Sequence, residues 1–246
     1  MSSPSFSIVL ACKNPGPRLE VALESVWQQR AAACEVIVID GASRDGTCEW
    51  LEANRRRLAT LVVERDRGVY DAMNKGIAAA TGDWVLFLGA DDRLADENVL
   101  SGSARRLVET KAAVVVGEVV YDDGRIYRLP ARPNPRARNF VHHQGAFYRR
   151  SLFSDAGAFD PTLRIMGDYD FNLRLWKANV RFEASPLRIA VCSSRGLSDS
   201  GAWQVYAEEL AVRHRHFAAW RCWLWDAGSA ARFVRKQIVR RALRRG

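Results

Sequence analysis

Short apolar runs alternate with amphipathic segments through the first half of the chain. Four of the runs are bounded by turn residues, which is typical of buried strands in a parallel sheet. They lie at residues 7–11, 35–40, 61–63 and 84–88. After the first run, apolar residues recur at helical spacing from Leu19 to Val26. Strands that alternate with helices in this way predict parallel βαβ units and an α/β fold.

The pattern is looser in the second half. Two strands are predicted on either side of an Asp-Asp-Gly turn, at residues 113–120 and 126–129, and the prolines within 130–135 predict a loop. Helices are predicted at residues 152–157, at residues 169–176 and from residue 203 onward. We therefore expect one domain over residues 1–202, followed by a helical, basic C-terminal extension over residues 203–246.

Composition narrows the class of protein. The 246 residues are 48% hydrophobic, which suits one large packed domain. The sequence shows no run long enough to cross a bilayer and no signal-peptide pattern at its start, so we expect a cytoplasmic protein. Five scattered cysteines predict neither a disulfide framework nor a zinc site. The net charge of +9 indicates a polyanionic partner, with membrane headgroups, nucleic acid and nucleotides all open.

Acidic residues stand where two of the predicted strands end. Asp40 closes the second strand, and Asp91 and Asp92 follow the fourth. Ligands of open α/β sheets bind beyond the carboxyl ends of the strands. Adjacent carboxylates repel each other unless a cation is near, so the pair suggests a metal ion. An Asp-Asp turn that caps the next helix would also explain the pair taken alone.

Two predicted helix starts carry further polar residues. Asp71, Asn74 and Lys75 lie near the beginning of one helix, a position that can hold phosphate, although a solvated helix face would look the same. Asp168 and Asp170 lie at the beginning of another, where capping and surface exposure would account for them. Each of these sites, taken singly, fits a structural role.

Five segments follow one another along most of the chain: VIDGASRDGT, RDRGVYDAMNKGIAAATGD, FLGADD, HHQGAFYRR and GDYDFNLRL. Their order gives the chain a resemblance to the family 2 glycosyltransferases with the GT-A fold. It is strongest to members that build bacterial surface polysaccharides and lipid-linked oligosaccharides. It implies a Rossmann-like, mostly parallel sheet flanked by helices, with a nucleotide-sugar half over about residues 1–112 and an acceptor half over about residues 113–202.

The resemblance also implies roles at matching positions. Asp40 matches the residue that recognises the nucleobase, and Asp168 matches the catalytic base. Asp91 matches the last residue of the DxD motif, which holds Mn²⁺ or Mg²⁺ on the donor diphosphate. The other implied contacts are Asp71, Asn74, Lys75 and Asp92 with the nucleotide sugar, and His143, Gln144 and Asp170 with the acceptor.

Three positions depart from the family pattern. Gly89 replaces the first carboxylate of the DxD motif, so a metal ion would depend on one protein carboxylate, the diphosphate and water, with little affinity before the nucleotide binds. Gly167 stands where many relatives carry a glutamate before the base. The first strand ends in Cys12 and Lys13 rather than in a Pro-Thr pair, which affects the nucleobase contacts.

The implied activity is inverting transfer of a single sugar from a nucleotide sugar to an acceptor hydroxyl. A UDP-sugar is the favoured donor, and a lipid-linked or polysaccharide precursor is the expected acceptor. A nucleotidyltransferase and a nucleotide-sugar-binding protein without transferase activity are the alternatives. A nucleic-acid-binding domain is disfavoured because the chain has no recognisable binding motif and its basic residues concentrate at the tail.

Two remaining patterns have competing interpretations. His142 and His143 suggest a metal site, but neighbouring side chains on a strand point to opposite faces, so we expect one buried ring and one ring at the site. Tryptophans and arginines within residues 220–246 are typical of a peripheral membrane contact at the inner face of the cell membrane. A solvated tail is the alternative there, since residues 233–243 show no clean apolar face in projection.

Overall fold

The computed structural model describes residues 3–30, 33–194, 196 and 202–243. The strands within these residues are β1 (Phe6–Cys12), β2 (Cys34–Asp40), β3 (Thr60–Val63), β4 (Trp84–Gly89), β5 (Arg93–Leu94), β6 (Val114–Tyr121), β7 (Ile126–Tyr127), β8 (Ala146–Arg149) and β9 (Phe182–Cys192). The helices are α1 (Arg18–Trp27), α2 (Thr47–Ala53), α3 (Val69–Ala79), α4 (Val99–Glu109), α5 (Leu152–Asp155), α6 (Gly167–Lys177), α7 (Trp203–His216) and α8 (Ala219–Leu243).

The strands form one sheet in the order β3-β2-β1-β4-β8-β6-β9-β5, with β7 paired to β6. The first four strands are parallel, as the apolar runs predict. In their register, Cys12 lies beside Asp40 and Ala11 beside Gly89. The carboxyl ends of β1, β2 and β4 therefore meet at one edge of the sheet, where the family resemblance expects the nucleotide sugar.

The other half of the sheet is mixed. Strand β8 runs antiparallel to both β4 and β6, whereas β9 runs parallel to β6. The apolar pattern does not predict β5, β8, β9 or α4. In β9 the polar residues and Pro186 interrupt the alternation, and the register against β6 shifts twice between Val116 and Val119. Such a strand is recognised by its pairing rather than by its own sequence.

Apolar side chains cover both faces of the sheet and fix the helices that carry the polar residues. Ile8 and Leu10 face a cluster that includes α1 and α4, while Val9 faces α3 and α6. In the second cluster the ring of Phe171 from α6 stacks on Phe153, with centroids 4.9 Å apart. Burying one Phe side chain stabilises the fold by about 1.5–3 kcal/mol. This packing sets the position of α6 against the sheet.

The predicted C-terminal helices fold back on the domain as a hairpin. The Glu208 carboxylate in α7 accepts hydrogen bonds from the backbone N–H groups of Arg164, Ile165 and Met166, just before α6 begins. The side chain of Arg213 is fully buried and donates to the backbone carbonyl of Ala137 at 3.0 Å. No helix in the described ranges is both long and apolar enough to span a membrane. Residues 244–246 of the predicted extension lie outside the described residues.

Candidate functional site

A single turn of 3₁₀-helix, His143–Gly145, connects the two groups of acidic residues. The His143 Nδ1 atom lies 3.1 Å from Asp168 Oδ2, and the side-chain amide of Gln144 donates to Asp92 Oδ2 at 3.1 Å. Because His143 and Gln144 are neighbours, this turn brings the end of β4 and the beginning of α6 to one place. The polar groups that the sequence singled out separately at these two positions therefore form one site.

Asp168 is held by several donors at the N-terminus of α6. Oδ1 accepts a hydrogen bond from the Tyr70 hydroxyl at 3.1 Å, and Oδ2 accepts one from the Asn139 side-chain amide at 2.7 Å. Burial by itself would raise the pKa of Asp168, but the contact with His143 and the bond from Tyr70 outweigh it and hold the pKa below its usual value. Asp168 is therefore an ionised, oriented carboxylate at neutral pH.

The sequence did not point to Tyr70 and Asn139 as partners of Asp168. Tyr70 belongs to the motif that begins α3, and its hydroxyl also donates to the Ile165 carbonyl at 2.7 Å. Asn139 lies in the loop before His142, in a stretch with no recognised pattern. The one clue in the sequence was that both residues lie in or next to a recognised motif. The contacts themselves join segments far apart in the chain.

Asp91 and Asp92 have different surroundings. The Asp91 side chain is 37% exposed, and the guanidinium of Arg18 lies 4.0 Å from it. Asp92 is buried, and its Oδ1 atom accepts a hydrogen bond from the backbone N–H of Ser193 at 3.1 Å. Burial raises the pKa of Asp92, and the neighbouring charge of Asp91 adds to the effect. Asp91 is thus the carboxylate of the pair that can reach a cation from solvent.

A side chain at position 89 would crowd both carboxylates of the Asp91–Asp92 pair. A Cβ atom at this position would lie 2.4 Å from Asp92 Oδ2 and 3.2 Å from Asp91 Oδ1. In the described part of the chain, no three His, Cys, Asp or Glu side chains are grouped closely enough to hold a metal ion. One exposed carboxylate fits a hard cation that arrives with oxygen ligands from a diphosphate and water.

Asp40 is fully buried at the end of β2. Its carboxylate accepts hydrogen bonds from the backbone N–H and the hydroxyl of Ser43 at 2.7 and 2.6 Å. The thiols of Cys12 and Cys48 lie 3.3 and 3.4 Å from the two carboxylate oxygens. These contacts fold the loop after β2 around Asp40, next to the end of β1. A nucleobase contact by Asp40 stays a prediction.

The polar residues of α3 are engaged with the protein itself. Asn74 exchanges two hydrogen bonds with the backbone of Phe159, at 2.8 and 3.0 Å, and so fastens α3 to the segment before α6. Asp71 accepts from the backbone and the guanidinium of Arg67, and Lys75 pairs with Glu64 at 2.7 Å. The structure does not bring these three side chains to the Asp168 group, and their donor contacts stay predictions.

Asp170 points away from Asp168, since residues two apart on a helix lie on nearly opposite faces. Its carboxylate lies 2.8 Å from His216 Nε2 in α7 and accepts a hydrogen bond from Arg174 at 3.0 Å. The contact with α7 makes it a structural link to the C-terminal hairpin. An additional acceptor contact stays a prediction.

The two histidines have the different surroundings that the sequence predicts, although they belong to a 3₁₀ turn and its entry rather than to a strand. The His142 ring packs against Tyr121 and Tyr127, and its Nε2 atom lies 2.8 Å from the Tyr121 hydroxyl. Burial, with the charge of His143, lowers the pKa of His142 to about 3, so this ring is neutral. Of the two histidine rings, that of His143 is the one within hydrogen-bond distance of Asp168.

Because the pKa of Asp92 is raised in the folded protein, its ionised form is expected to lower the free energy of unfolding. Asp92→Asn should raise the Tm by about 2–4 °C at about pH 8, equivalent to about 1 kcal/mol. The amide oxygen can still accept from Ser193, and the amide of Gln144 can rotate to accept from Asn. A carboxyl group with a raised pKa destabilises the fold as pH rises above its unfolded value, so the difference should shrink at about pH 4. Thermal unfolding at the two pH values measures this.

The exposed Asp91 provides a control for that experiment. Asp91→Asn should change the Tm at high pH less than Asp92→Asn does, because its side chain keeps contact with water. A lower Tm for Asp92→Asn at both pH values would show that the buried charge stabilises the fold. A stabilising loss of charge is typical of positions at which a carboxylate is kept for function.

Comparison with known proteins supplies independent evidence. The sequence profile of the family described as Glycosyl transferase family 2 matches residues 7–168. A PGL/p-HBAD biosynthesis glycosyltransferase of Mycobacterium tuberculosis is 35% identical over 224 residues, covering 87% of each chain. The succinoglycan biosynthesis protein ExoO of Rhizobium meliloti is 30% identical over 192 residues, covering 68% of this chain and 54% of that protein.

Two solved structures share the fold. The 1–349 fragment of S. aureus TarS in complex with UDP-GlcNAc superposes with a TM-score of 0.68 at 20% identity, covering 85% of this chain and 65% of the fragment. The mannosyltransferase PcManGT from Pyrobaculum calidifontis, in complex with GDP-Man and Mn²⁺, gives a TM-score of 0.65 at 20% identity, covering 97% of this chain and 76% of that one. Both likenesses show the GT-A fold.

Proposed function

Because this chain belongs to glycosyl transferase family 2, we propose that it is an inverting glycosyltransferase that moves one sugar from a nucleotide sugar to an acceptor hydroxyl. The observation that supports this most directly is the turn that joins Asp168 to Asp92 through His143 and Gln144. It sets an ionised carboxylate beside the end of β4, where Asp91 faces solvent. A base next to a diphosphate site suits direct displacement at a sugar carbon.

In the proposed reaction, Asp168 accepts the proton of the acceptor hydroxyl. A carboxylate with a lowered pKa is a weak base, but it is ionised at neutral pH and suffices if the proton moves late, as positive charge builds on the sugar. Tyr70 and Asn139 hold its two oxygens, and His143 contacts the same side as Asn139. Their role is to orient the carboxylate towards the acceptor.

Asp91 would hold Mn²⁺ or Mg²⁺ together with the donor diphosphate. When bound there, such an ion neutralises the charge that develops on the leaving diphosphate. The exposed position of Asp91 fits this assignment, and the structural neighbour PcManGT was solved with Mn²⁺ and GDP-Man. Asp92 accepts the hydrogen bond from Gln144, the residue assigned to the acceptor, at 3.1 Å, and its own contact with the nucleotide sugar stays a prediction.

A UDP-sugar is the favoured donor, and a lipid-linked or polysaccharide precursor the favoured acceptor, in bacterial cell-surface glycan synthesis. TarS was solved with UDP-GlcNAc, whereas PcManGT was solved with GDP-Man, so both nucleotides belong in any test. One relative is named for PGL/p-HBAD biosynthesis and another for succinoglycan biosynthesis. These names support an acceptor that is a glycolipid or a growing polysaccharide.

Incubation with a panel of UDP-, GDP- and dTDP-sugars and Mn²⁺ tests this proposal. We expect nucleoside diphosphate release with one nucleotide class and its loss in EDTA, because the leaving group requires charge neutralisation. Pyrophosphate release from a sugar phosphate and a nucleoside triphosphate would instead indicate a nucleotidyltransferase. Donor binding by calorimetry without any release, across a panel of glycolipid acceptors, would indicate a nucleotide-sugar-binding protein.

A further inference from the structure

Helix α8 exposes a stripe of large apolar side chains. Trp220, Trp223 and Ile238 are 71%, 63% and 61% exposed, and Leu224 and Val234 are more than half exposed. At about 3.6 residues per turn, positions 220, 223, 224, 234 and 238 fall on one face of the helix. Residues 233–243 alone show no clean apolar face. The face appears when the projection includes the helix from its beginning.

The opposite face of α8 is fixed to the protein. Cys222 and Ser229 are buried, and the Ser229 hydroxyl donates to Glu209 in α7 at 2.8 Å. Arg213 pairs with Asp226, and Arg232 donates to Glu209 at 2.5 Å. Because these bonds define the inner face, the apolar stripe is held outward. It is a built surface rather than one side of a solvated tail.

Charge indicates what this surface meets. Exposed Arg221 and Arg235 lie along one edge of the stripe. The sequence of α8 contains six basic residues, Arg221, Arg232, Arg235, Lys236, Arg240 and Arg241, and one acidic residue, Asp226, which is paired with Arg213. Tryptophans and a basic border are typical of helices that lie in the headgroup region of an anionic bilayer. If a second copy of this chain packed on the same face, the basic residues of the two copies would repel each other.

We propose that the outer face of α8 docks on the surface of an anionic lipid bilayer. This inference deepens the proposed function, since an enzyme that acts on a lipid-linked acceptor gains from being held at the membrane. Without vesicles present, the docking face takes no part in donor binding. Docking and transfer can therefore be measured separately.

The docking face is connected to the candidate site by a short series of contacts. Arg213, which pairs with Asp226 of α8, donates to the Ala137 carbonyl at 3.0 Å. Two residues further along the same loop, Asn139 donates to Asp168 at 2.7 Å. The loop that borders the proposed base is thus attached to the helix that lies on the membrane, and a membrane-borne acceptor would be presented near Asp168.

Vesicle co-sedimentation of the full chain tests the proposal. We expect binding to vesicles with about a third phosphatidylglycerol, weak binding to pure phosphatidylcholine, and loss of binding in about 1 M salt. The triple variant Trp220→Ser, Trp223→Ser, Leu224→Ser should bind at least about tenfold more weakly, a change of about 1.4 kcal/mol. Arg221→Glu with Arg235→Glu should remove the preference for the anionic vesicles.

Val21→Ser is the matched control, because Val21 is 57% exposed on α1, away from α8. It should bind vesicles as the wild type does. Equal vesicle binding by the wild type and the triple variant would overturn the proposal, as would a dimer that the triple variant converts to a monomer with vesicle binding unchanged. UDP binding by every variant, measured without vesicles, shows that each is folded and reports on the proposed donor site independently.

Discussion

Asp168→Asn is expected to lower kcat for sugar transfer about a thousandfold, within the range that a general base contributes. The substitution keeps the size of the side chain and can keep the bond from the Tyr70 hydroxyl, but an amide cannot accept the acceptor proton. Donor binding should stay within about twofold of the wild type, because the proposed diphosphate site depends on Asp91 and not on α6. Steady-state kinetics and calorimetry with the preferred nucleotide sugar measure the two quantities.

The exposed Asp155 on α5 offers a control of the same chemistry, and Asp155→Asn should leave kcat unchanged. The pKa of Asp168 is already low, so the loss caused by Asp168→Asn should be the same at about pH 6 and about pH 8. Turnover of Asp168→Asn within tenfold of the wild type would assign the base to another residue. A parallel loss of donor binding would indicate a disrupted fold at the beginning of α6.

Gly167→Ala should destabilise the protein and impair transfer at the same time. A Cβ atom at position 167 would lie 2.7 Å from the buried ring of Tyr70, which cannot rotate away without losing its bonds to Ile165 and Asp168. Overpacking of this kind costs about 1–3 kcal/mol. For each kcal/mol lost, the Tm should fall by roughly 2–4 °C. The kcat should fall as well, because Asp168 loses the hydrogen bond from the Tyr70 hydroxyl. Thermal unfolding and steady-state kinetics report the two effects.

A double-mutant cycle separates the steric clash with Tyr70 from any other effect of Gly167→Ala on stability. In a Tyr70→Ala background the added methyl has room, so Gly167→Ala should cost less there than in the wild type. Gly228→Ala serves as control, since apart from the adjacent residues and the backbone of its own helix no atom of the described residues lies within 4 Å of the added Cβ, and it should not lower the Tm. Equal costs of Gly167→Ala in both backgrounds would show that Tyr70 is not the obstacle.

The same contact gives a physical reason for a departure from the family pattern. The family pattern expects a glutamate where this chain has Gly167, and any side chain there would meet the ring of Tyr70. Gly89 is a comparable case, since a Cβ would enter the space of the Asp92 carboxylate. At both positions a neighbouring side chain fills the space that a Cβ atom would need. A single sequence does not show which side chains will be the neighbours.

Local patterns were sufficient for the first half of the fold. The runs that became β1 to β4 are apolar, short and bounded by turns, and each signals its own conformation without help from distant residues. Once these strands are parallel, Asp40 and Asp91 must lie at the same edge of the sheet. The ordered motifs then identified the family, which the profile match over residues 7–168 shows.

Tertiary structure decided which side chains meet. The sequence gives no sign that Asn74 would be used to hold Phe159, that Asp170 would contact α7, or that His143 and Gln144 would join Asp168 to Asp92. The outward face of α8 likewise depends on which side of the helix packs against Glu209. Periodicity and turn chemistry act over a few residues and are readable in the chain itself, whereas these contacts join segments that only packing brings together.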